Sequence, residues 1–207
     1  AAGTTDGCAT FLASGASEPG EASTALGSTI VLKLLSDRPI FAPELGIYSH
    51  RLGDTWLAGG ASNCGGKTLL QHFTSEQLAT LEASLDPAKP TGTDYYPLPS
   101  VGERFPVADA KLAPRLTPRP ASDAEFLQGI YEAFARVEQT GFAKLRELGC
   151  PSLRSVRHAG GGSRSATWMT LRATALGVPQ QPAWSEEAAA GAARLAWRAL
   201  GHEIAFA

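Results

Sequence analysis

The stretch HAGGGSRSATWMTLRATALG, residues 158–177, places three consecutive glycines, Gly160, Gly161 and Gly162, between a predicted strand and a predicted helix. Residues 155–158 are typical of the end of a buried strand, and the helix that follows is amphipathic. Glycines at such a junction expose backbone N–H groups and the positive end of a helix dipole, which favour a phosphate or a nucleotide edge. A tight turn without a ligand explains the same glycines. No Lys-Ser or Lys-Thr pair follows, so the stretch is not a Walker loop.

Composition restricts the classes of function. A chain of 207 residues with 43% hydrophobic content is expected to form one domain. A net charge of −2 and no Lys/Arg cluster exclude an electrostatic nucleic-acid binder. No signal peptide or membrane-length apolar run is present, so we expect a cytoplasmic protein with a small-molecule partner and no membrane partner. The scattered cysteines and histidines predict reduced thiols and no metal site.

The first helix is predicted to begin at Asp6, after a small-residue entry, and to bury Phe11 and Leu12. An aspartate at this position is usually a helix N-cap, which accepts a backbone N–H from the first turn. The alternative is a carboxylate at the edge of a cleft, acting as a general base or as a partner of magnesium. Both interpretations stay open at this point.

Two strand pairs follow this helix. Residues 21–35 predict two strands that meet at Gly27, Ser28 and Thr29, a turn whose amides and hydroxyls suit the terminal phosphates of a nucleotide. A plain hairpin turn explains the same residues. Residues 46–60 predict a second hairpin, with its turn at Gly53 and Asp54 and its second strand ending at Gly60. A helix capped by Ser62 or Asn63 is expected next.

The second half of the chain alternates helices and strands. A helix is predicted over residues 75–85, and a long helix capped by Ser122 runs to Gly149. Between them, residues 86–120 hold more than half of the 14 prolines and predict a surface excursion pinned by Tyr95, Tyr96 and Phe105. A short strand in VPQQPAW and a final helix packed closely through Gly191 complete the chain.

The order of these elements predicts an α/β fold with a mixed sheet, antiparallel at its start and parallel at its end, flanked by helices. That is the layout of the ribonuclease H-like, actin-like ATPase core.

Six segments together resemble the C-terminal half of the FGGY family of carbohydrate kinases, most closely its D-ribulose and D-xylulose kinases. In chain order they are GTTDG, LGSTIVLK, GGASNCGG, YYPLPSVGERFP, AGGGSRSATW and EEAAAGAARLAWRALG.

The resemblance implies a site for ATP and Mg²⁺ and assigns roles to particular residues. It implies that Asp6 is the general base that takes the proton of the sugar hydroxyl. It implies that Gly27, Ser28 and Thr29 meet the β- and γ-phosphates, and that Gly60, Asn63 and Cys64 lie near the ribose and phosphates. It implies that Gly160, Gly161 and Gly162 lie beside the adenosine, with Ser165 one helical turn on, where many members carry Asn.

The resemblance also implies an incomplete cleft. The family's N-terminal half carries an Asp-Phe-Gly-Thr phosphate loop and most sugar contacts, and no segment here corresponds to it. We therefore expect residues 1–207 to be the C-terminal nucleotide-binding domain of an ATP-dependent ketopentose kinase, whose partners are a sugar, ATP and the missing half. The chain alone should have little activity, because positioning supplies much of phosphoryl-transfer catalysis. Apolar surface that the missing half would cover should favour self-association, and a homodimer is one possible form. Two alternatives remain: a non-catalytic regulator with an actin-like nucleotide site, and an interaction domain without nucleotide.

Overall fold

A computed structural model describes residues 4–201 of the chain. The predicted elements are confirmed in type and order. The strands are β1 (Glu21–Leu26), β2 (Ile30–Ser36), β3 (Tyr48–Leu52), β4 (Thr55–Ser62), β5 (Ser155–Ala159) and β6 (Gln180–Pro182). The helices are α1 (Asp6–Ser14), α2 (Gly66–His72), α3 (Ser75–Glu82), α4 (Asp123–Glu147), α5 (Ala166–Leu176) and α6 (Ala188–Ala199). None of the helices within the described residues is long and apolar enough to cross a membrane.

Within residues 4–201 the strands form one six-stranded sheet in the order β3-β4-β2-β1-β5-β6. The pairs β1–β2, β2–β4 and β3–β4 are antiparallel, whereas β1–β5 and β5–β6 are parallel. The prediction of a mixed sheet with an antiparallel start and a parallel end is therefore confirmed. β1 lies at the change of direction, because it pairs with β2 on one side and with β5 on the other.

The sheet is covered on both faces. One face carries the main core, in which Leu32 and Leu34 of β2 pack with α4 and with Trp168 of α5. Leu35 and Leu57, which alternate to the opposite face, pack with Cys8 and Phe11 of α1. α6 then packs on α1 through Gly191, where an added β-carbon would lie 1.8 Å from the Ala9 carbonyl oxygen. Close packing through Gly191 is confirmed.

Two predicted helix caps are wrong. The N-cap of α1 is Thr5, whose hydroxyl accepts from the Cys8 amide, so Asp6 is the first helical residue instead. The N-cap of α2 is Gly65, because Ser62 continues β4 and Asn63 bonds to a different segment. The cap of α4 by Ser122 is confirmed: its hydroxyl accepts from the amide of Glu125.

The proline-rich segment between α3 and α4 contains no named helix or strand and is held by isolated contacts. Tyr96 and Arg115 pair through an isolated antiparallel bridge. Tyr95 is buried and donates from its hydroxyl to the Pro118 carbonyl over 2.6 Å. Phe105 is fully buried against Gly60 and Gly141, which binds the segment to the sheet and to α4.

Candidate nucleotide site

The sequence-predicted glycine segments meet at a cleft of about 600 Å³. The β1–β2 turn lies at one side, the residues after β5 form another, and α2 and α3 supply a wall. The residues that line it are Leu26, Gly27, Ser28, Gly66, Leu69, Leu70, Ser75, Leu78, Ala79, Glu82, Tyr131, Gly161, Gly162, Arg164, Ser165 and Trp168. Five of the eleven residues proposed from the sequence thus line one cleft. Two belong to the β1–β2 turn and three follow β5, and these two groups are more than 130 positions apart along the chain.

The three glycines after β5 have different structural roles. Gly160 has φ +91°, and a β-carbon there would lie 2.8 Å from the Leu26 carbonyl oxygen. A β-carbon at Gly162 would lie 2.2 Å from the ring of Trp168. Packing alone therefore requires both of these glycines. At Gly161 a β-carbon would meet no atom within 4 Å, so no protein contact requires glycine there.

The β1–β2 turn is fixed against α2. The amide of Gly66 donates to the Gly27 carbonyl over 2.8 Å, and the amide of Lys67 donates to the Ser28 carbonyl over 3.2 Å. Because these carbonyl oxygens are bonded to α2, the turn can offer a ligand its remaining amides and the hydroxyls of Ser28 and Thr29. Ser28 is exposed and lines the cleft, and Thr29 adjoins it without lining the cleft.

The wall of the cleft is apolar, a feature that the sequence analysis missed as part of the site. Leu69 and Leu70 come from α2, and Leu78 and Ala79 come from α3. Leu70 is 64% exposed and lines the cleft, so it presents an apolar surface there. A cleft with apolar walls and a few polar groups is typical of a site for a small organic ligand. The only sequence signal was the leucines themselves, which also fit a buried helix face.

The N-terminus of α5 is not free for a ligand, contrary to the sequence expectation. A 3-10 turn over Gly161–Arg164 separates the glycines from α5. The hydroxyl of Ser165 accepts from the Trp168 amide and donates to the carboxylate of Glu82, 3.0 Å from each oxygen. Glu82 also accepts from the Thr167 amide over 2.9 Å. A side chain of α3 thus occupies the positive end of the α5 dipole.

Two aromatic side chains lie beneath this end of the cleft. Tyr131 of α4 stacks on Trp168, with ring centroids 5.3 Å apart and an 11° angle between the planes. Burial raises the pKa of Tyr131 to about 12, so its hydroxyl remains protonated at neutral pH. The stacked pair forms a rigid base under Gly162 and Ser165.

The predicted residues Gly60, Asn63 and Cys64 lie outside the cleft lining. Gly60 is inside β4 and faces the ring of Phe105, which would lie 2.6 Å from an added β-carbon. Asn63 donates to the Gly102 carbonyl and accepts from Arg104. Cys64 is fully buried, and burial, followed by the charge of Glu103, raises the pKa of its thiol. The backbone of Gly60 and the side chains of Asn63 and Cys64 thus contact the proline-rich segment.

Glu103 is the centre of that packing. Its buried carboxylate accepts hydrogen bonds from the Ser62 hydroxyl over 2.6 Å, the Asn63 amide over 2.7 Å and the Tyr96 hydroxyl over 3.1 Å. The side chain therefore holds the β4–α2 connection, and α2 in turn holds the β1–β2 turn. The neighbouring Arg104 side chain is exposed and donates to Asn63 instead.

Asp6 lies at the exposed start of α1, away from the cleft lining. One carboxylate oxygen accepts from the Gly7 amide over 2.8 Å. Gly3, the first glycine of the GTTDG segment, lies outside the described residues. The position of Asp6 leaves its carboxylate open to groups beyond this chain.

Metal ligands are not clustered in the part of the chain that the structure describes. No group of three or more His, Cys, Asp or Glu side chains among residues 4–201 is arranged to hold a metal ion. Cys8, Cys64 and Cys150 are free and buried.

A sequence model of the FGGY family of carbohydrate kinases, C-terminal domain, matches residues 22–200. Among solved structures, the chain is similar to a xyloylose kinase from Brucella ovis, with 29% identity and a TM-score of 0.80 over 94% of this chain and 42% of that one. A xylulose kinase from Rhodospirillum rubrum matches with 25% identity and a TM-score of 0.78, over 99% and 43% of the two chains. A glycerol kinase from Plasmodium falciparum with ADP matches with 15% identity and a TM-score of 0.76, over 97% and 42%.

These matches confirm the predicted ribonuclease H-like, actin-like ATPase fold. The chain spans less than half the length of each of the three solved structures.

Proposed function

The chain belongs to the FGGY family of carbohydrate kinases, and from that premise we propose that it is the C-terminal nucleotide-binding domain of an ATP-dependent ketopentose kinase. The proposed substrate is D-ribulose or D-xylulose, and the phosphate donor is Mg·ATP. The remaining partner is an N-terminal half that completes the cleft. Two of the similar structures, the xyloylose and xylulose kinases, support a sugar of this size, and the substrate of the third, glycerol, is smaller.

Gly161 carries the proposal. Packing explains Gly160 and Gly162, but only open cleft lies where a side chain of residue 161 would project. A ligand that lies flat over the glycine backbone accounts for the missing side chain. The apolar wall of Leu70, Leu78 and Ala79 then faces one side of an adenosine, and the glycine backbone faces the other.

The β1–β2 turn supports the placement of the phosphates. Gly27 and Ser28 line the same cleft as Gly161, and the bonds from α2 hold their carbonyl groups away from a ligand. Amide and hydroxyl donors at a rigid turn suit the charge of the β- and γ-phosphates. Phosphoryl transfer depends mainly on such positioning.

Asp6 is proposed as the general base. A hydroxyl oxygen of the sugar attacks the γ-phosphorus, the bond from the γ-phosphorus to the β–γ bridging oxygen breaks, and ADP leaves. The hydroxyl proton passes to the Asp6 carboxylate, which gives a sugar phosphate and a protonated aspartate. The exposed carboxylate at the start of α1 is open to a sugar held by the other half of the protein.

Calorimetric titration of Mg·ADP into the 207-residue chain tests the nucleotide site. An added β-carbon at Gly161 meets no protein atom within 4 Å, so Gly161→Val should abolish binding by filling the cleft and leave thermal stability unchanged. Gly7→Val is the matched control, since an added β-carbon there also meets no atom within 4 Å and Gly7 lies outside the cleft lining. Binding that survives Gly161→Val, or no binding by the parent chain, would overturn the proposed site.

A further inference from the structure

Glu82 is the only carboxylate among the described residues that line the cleft. It is the last residue of α3, and its carboxylate accepts from the hydroxyl of Ser165, 83 positions later in the chain. The family resemblance assigns no role to residue 82. The only other charged side chain in the lining of the described cleft is Arg164, on the 3-10 turn.

The hydrogen bonds of Glu82 leave it able to accept more. A carboxylate offers about four acceptor positions on its two oxygens. The single hydroxyl proton of Ser165 is shared between both oxygens, and the Thr167 amide bonds to one of them. The carboxylate therefore retains acceptor capacity, and a ligand group beside it is favoured if it donates and disfavoured if it accepts.

We propose that Glu82 reads the nucleobase by accepting a hydrogen bond from the 6-amino group of adenine, an inference that rests on the proposed nucleotide site. Ser165 holds the carboxylate in place through its hydroxyl. A 6-oxo purine is rejected because its carbonyl oxygen would lie against the carboxylate with no proton between them.

The hydrogen-bonding groups of the cleft favour one orientation of the nucleotide. The turn at Gly27 and Ser28 offers amide and hydroxyl donors to phosphate oxygens, whereas the Glu82 carboxylate offers only acceptors, and the charge of Arg164 in the same lining offsets its charge at longer range. The phosphate chain is therefore directed toward the β1–β2 turn and the base toward Glu82. The stacked rings of Tyr131 and Trp168 lie at the end of the cleft near α5 and support the positions of Ser165 and the Glu82 carboxylate.

The test compares Mg·ADP with Mg·IDP, in which a 6-oxo group replaces the 6-amino group. We expect the 207-residue chain to bind ADP about tenfold or more tightly than IDP, because a 6-oxo group would face the half-buried Glu82 carboxylate as a second acceptor. In Glu82→Gln the side-chain amide can donate to the 6-oxo group, so the ratio should fall to within about threefold. Glu76→Gln, at the exposed start of the same helix, is the matched control and should keep the parent ratio.

Each outcome separates this inference from the proposed function. Equal binding of ADP and IDP by the parent chain would overturn the role of Glu82 and leave the nucleotide site intact. An equal loss of both nucleotides in Glu82→Gln would make Glu82 only a strut between α3 and α5. If Glu82→Gln has a lowered melting temperature, Glu82→Asp is the second variant. Its shorter side chain keeps the charge but places the carboxylate farther from the nucleobase, so it should still reduce the ratio of ADP to IDP affinity. Failure of the parent chain to bind either nucleotide would overturn the proposed function itself.

Discussion

Glu138 of α4 and Arg172 of α5 form an ion pair in the interior of the domain, 1% and 0% exposed respectively. One guanidinium nitrogen lies 2.6 Å from Oε1 of Glu138, and the Thr24 hydroxyl donates to the same oxygen over 2.6 Å. These contacts join β1, α4 and α5, and Thr24 is paired in the sheet with His158, two residues before the three glycines. The pair therefore fixes the elements that position the cleft.

Glu138→Ala should lower the free energy of unfolding by about 3–5 kcal/mol, because it leaves the Arg172 guanidinium buried without its counter-charge. Urea unfolding of the purified chain measures the change. The exposed pair of Lys144 and Glu147 supplies the control, and Glu147→Ala should change the free energy by about 0.5 kcal/mol or less. A loss below about 1 kcal/mol in Glu138→Ala would mean that water or a rearranged side chain compensates Arg172.

Gly191→Val should also destabilise the chain, by roughly 1–3 kcal/mol or more. A β-carbon at this position would lie 1.8 Å from the Ala9 carbonyl oxygen, so α6 must move away from α1. Ala192→Val, on the exposed face of the same helix, is the control for the lower helix propensity of valine. Equal melting temperatures for the two variants would show that α6 does not pack on α1 as described.

The pH dependence of stability should carry a contribution from His158 of β5. Burial, followed by the nearby charge of Arg172, lowers the pKa of His158, and Glu138 and Glu186 offset part of this shift. Between the lowered pKa and the usual value of 6.5, the unfolded chain binds the proton and the folded chain does not. Stability is therefore lost as the pH falls below 6.5.

His158→Gln removes this proton uptake, so its melting temperature should fall less than that of the parent between pH 7 and pH 5.5, roughly the range of a perturbed histidine. Melting curves of both proteins across that range measure the difference, in which all other titrating groups cancel. Parallel curves would contradict the assigned direction of the shift.

Local patterns predict the framework of this domain well. Alternating apolar residues and glycine turns at Gly27 and Gly53 specify the hairpins, and the apolar period of α4 specifies its buried face, because each depends on residues that are close in sequence. The same patterns misplaced two caps. Thr5 and Asp6 are both good caps one residue apart, and backbone geometry decides between them.

The cleft could be predicted only in part. The glycines are visible in the sequence, but what surrounds each of them is not. The contact of Gly162 with the Trp168 ring and the approach of Gly160 to Leu26 arise from tertiary packing. Glu82 was missed because its partner Ser165 lies 83 positions away, and no local pattern links a carboxylate at the end of one helix to the cap of another.

Glu103→Leu should cost stability, because it leaves the Ser62 hydroxyl, the Asn63 amide and the Tyr96 hydroxyl without their acceptor. A buried group such as the Ser62 hydroxyl costs about 1–3 kcal/mol when it loses its partner, and the half-buried Asn63 amide and Tyr96 hydroxyl cost less. Since Glu103 holds the β4–α2 connection, and α2 holds the β1–β2 turn, affinity for Mg·ADP should fall as well. Thermal melting and calorimetry measure the two effects. Glu44→Leu, at an exposed position, is the control. If Glu103→Leu is destabilised but binds Mg·ADP with unchanged affinity, Glu103 does not position the β1–β2 turn.

Asp6→Asn, made in the protein with its N-terminal half present, should reduce turnover by about 10²–10⁴-fold while the affinity for Mg·ADP stays within about threefold, because asparagine cannot accept the hydroxyl proton. Asparagine retains an acceptor for the Gly7 amide, so α1 should keep its stability. Ketopentose-dependent ADP release measures turnover, with Glu18→Gln as an exposed control for lost charge. Turnover that survives Asp6→Asn would leave Asp6 only its bond at the start of α1, and the base would have to come from the other half of the protein.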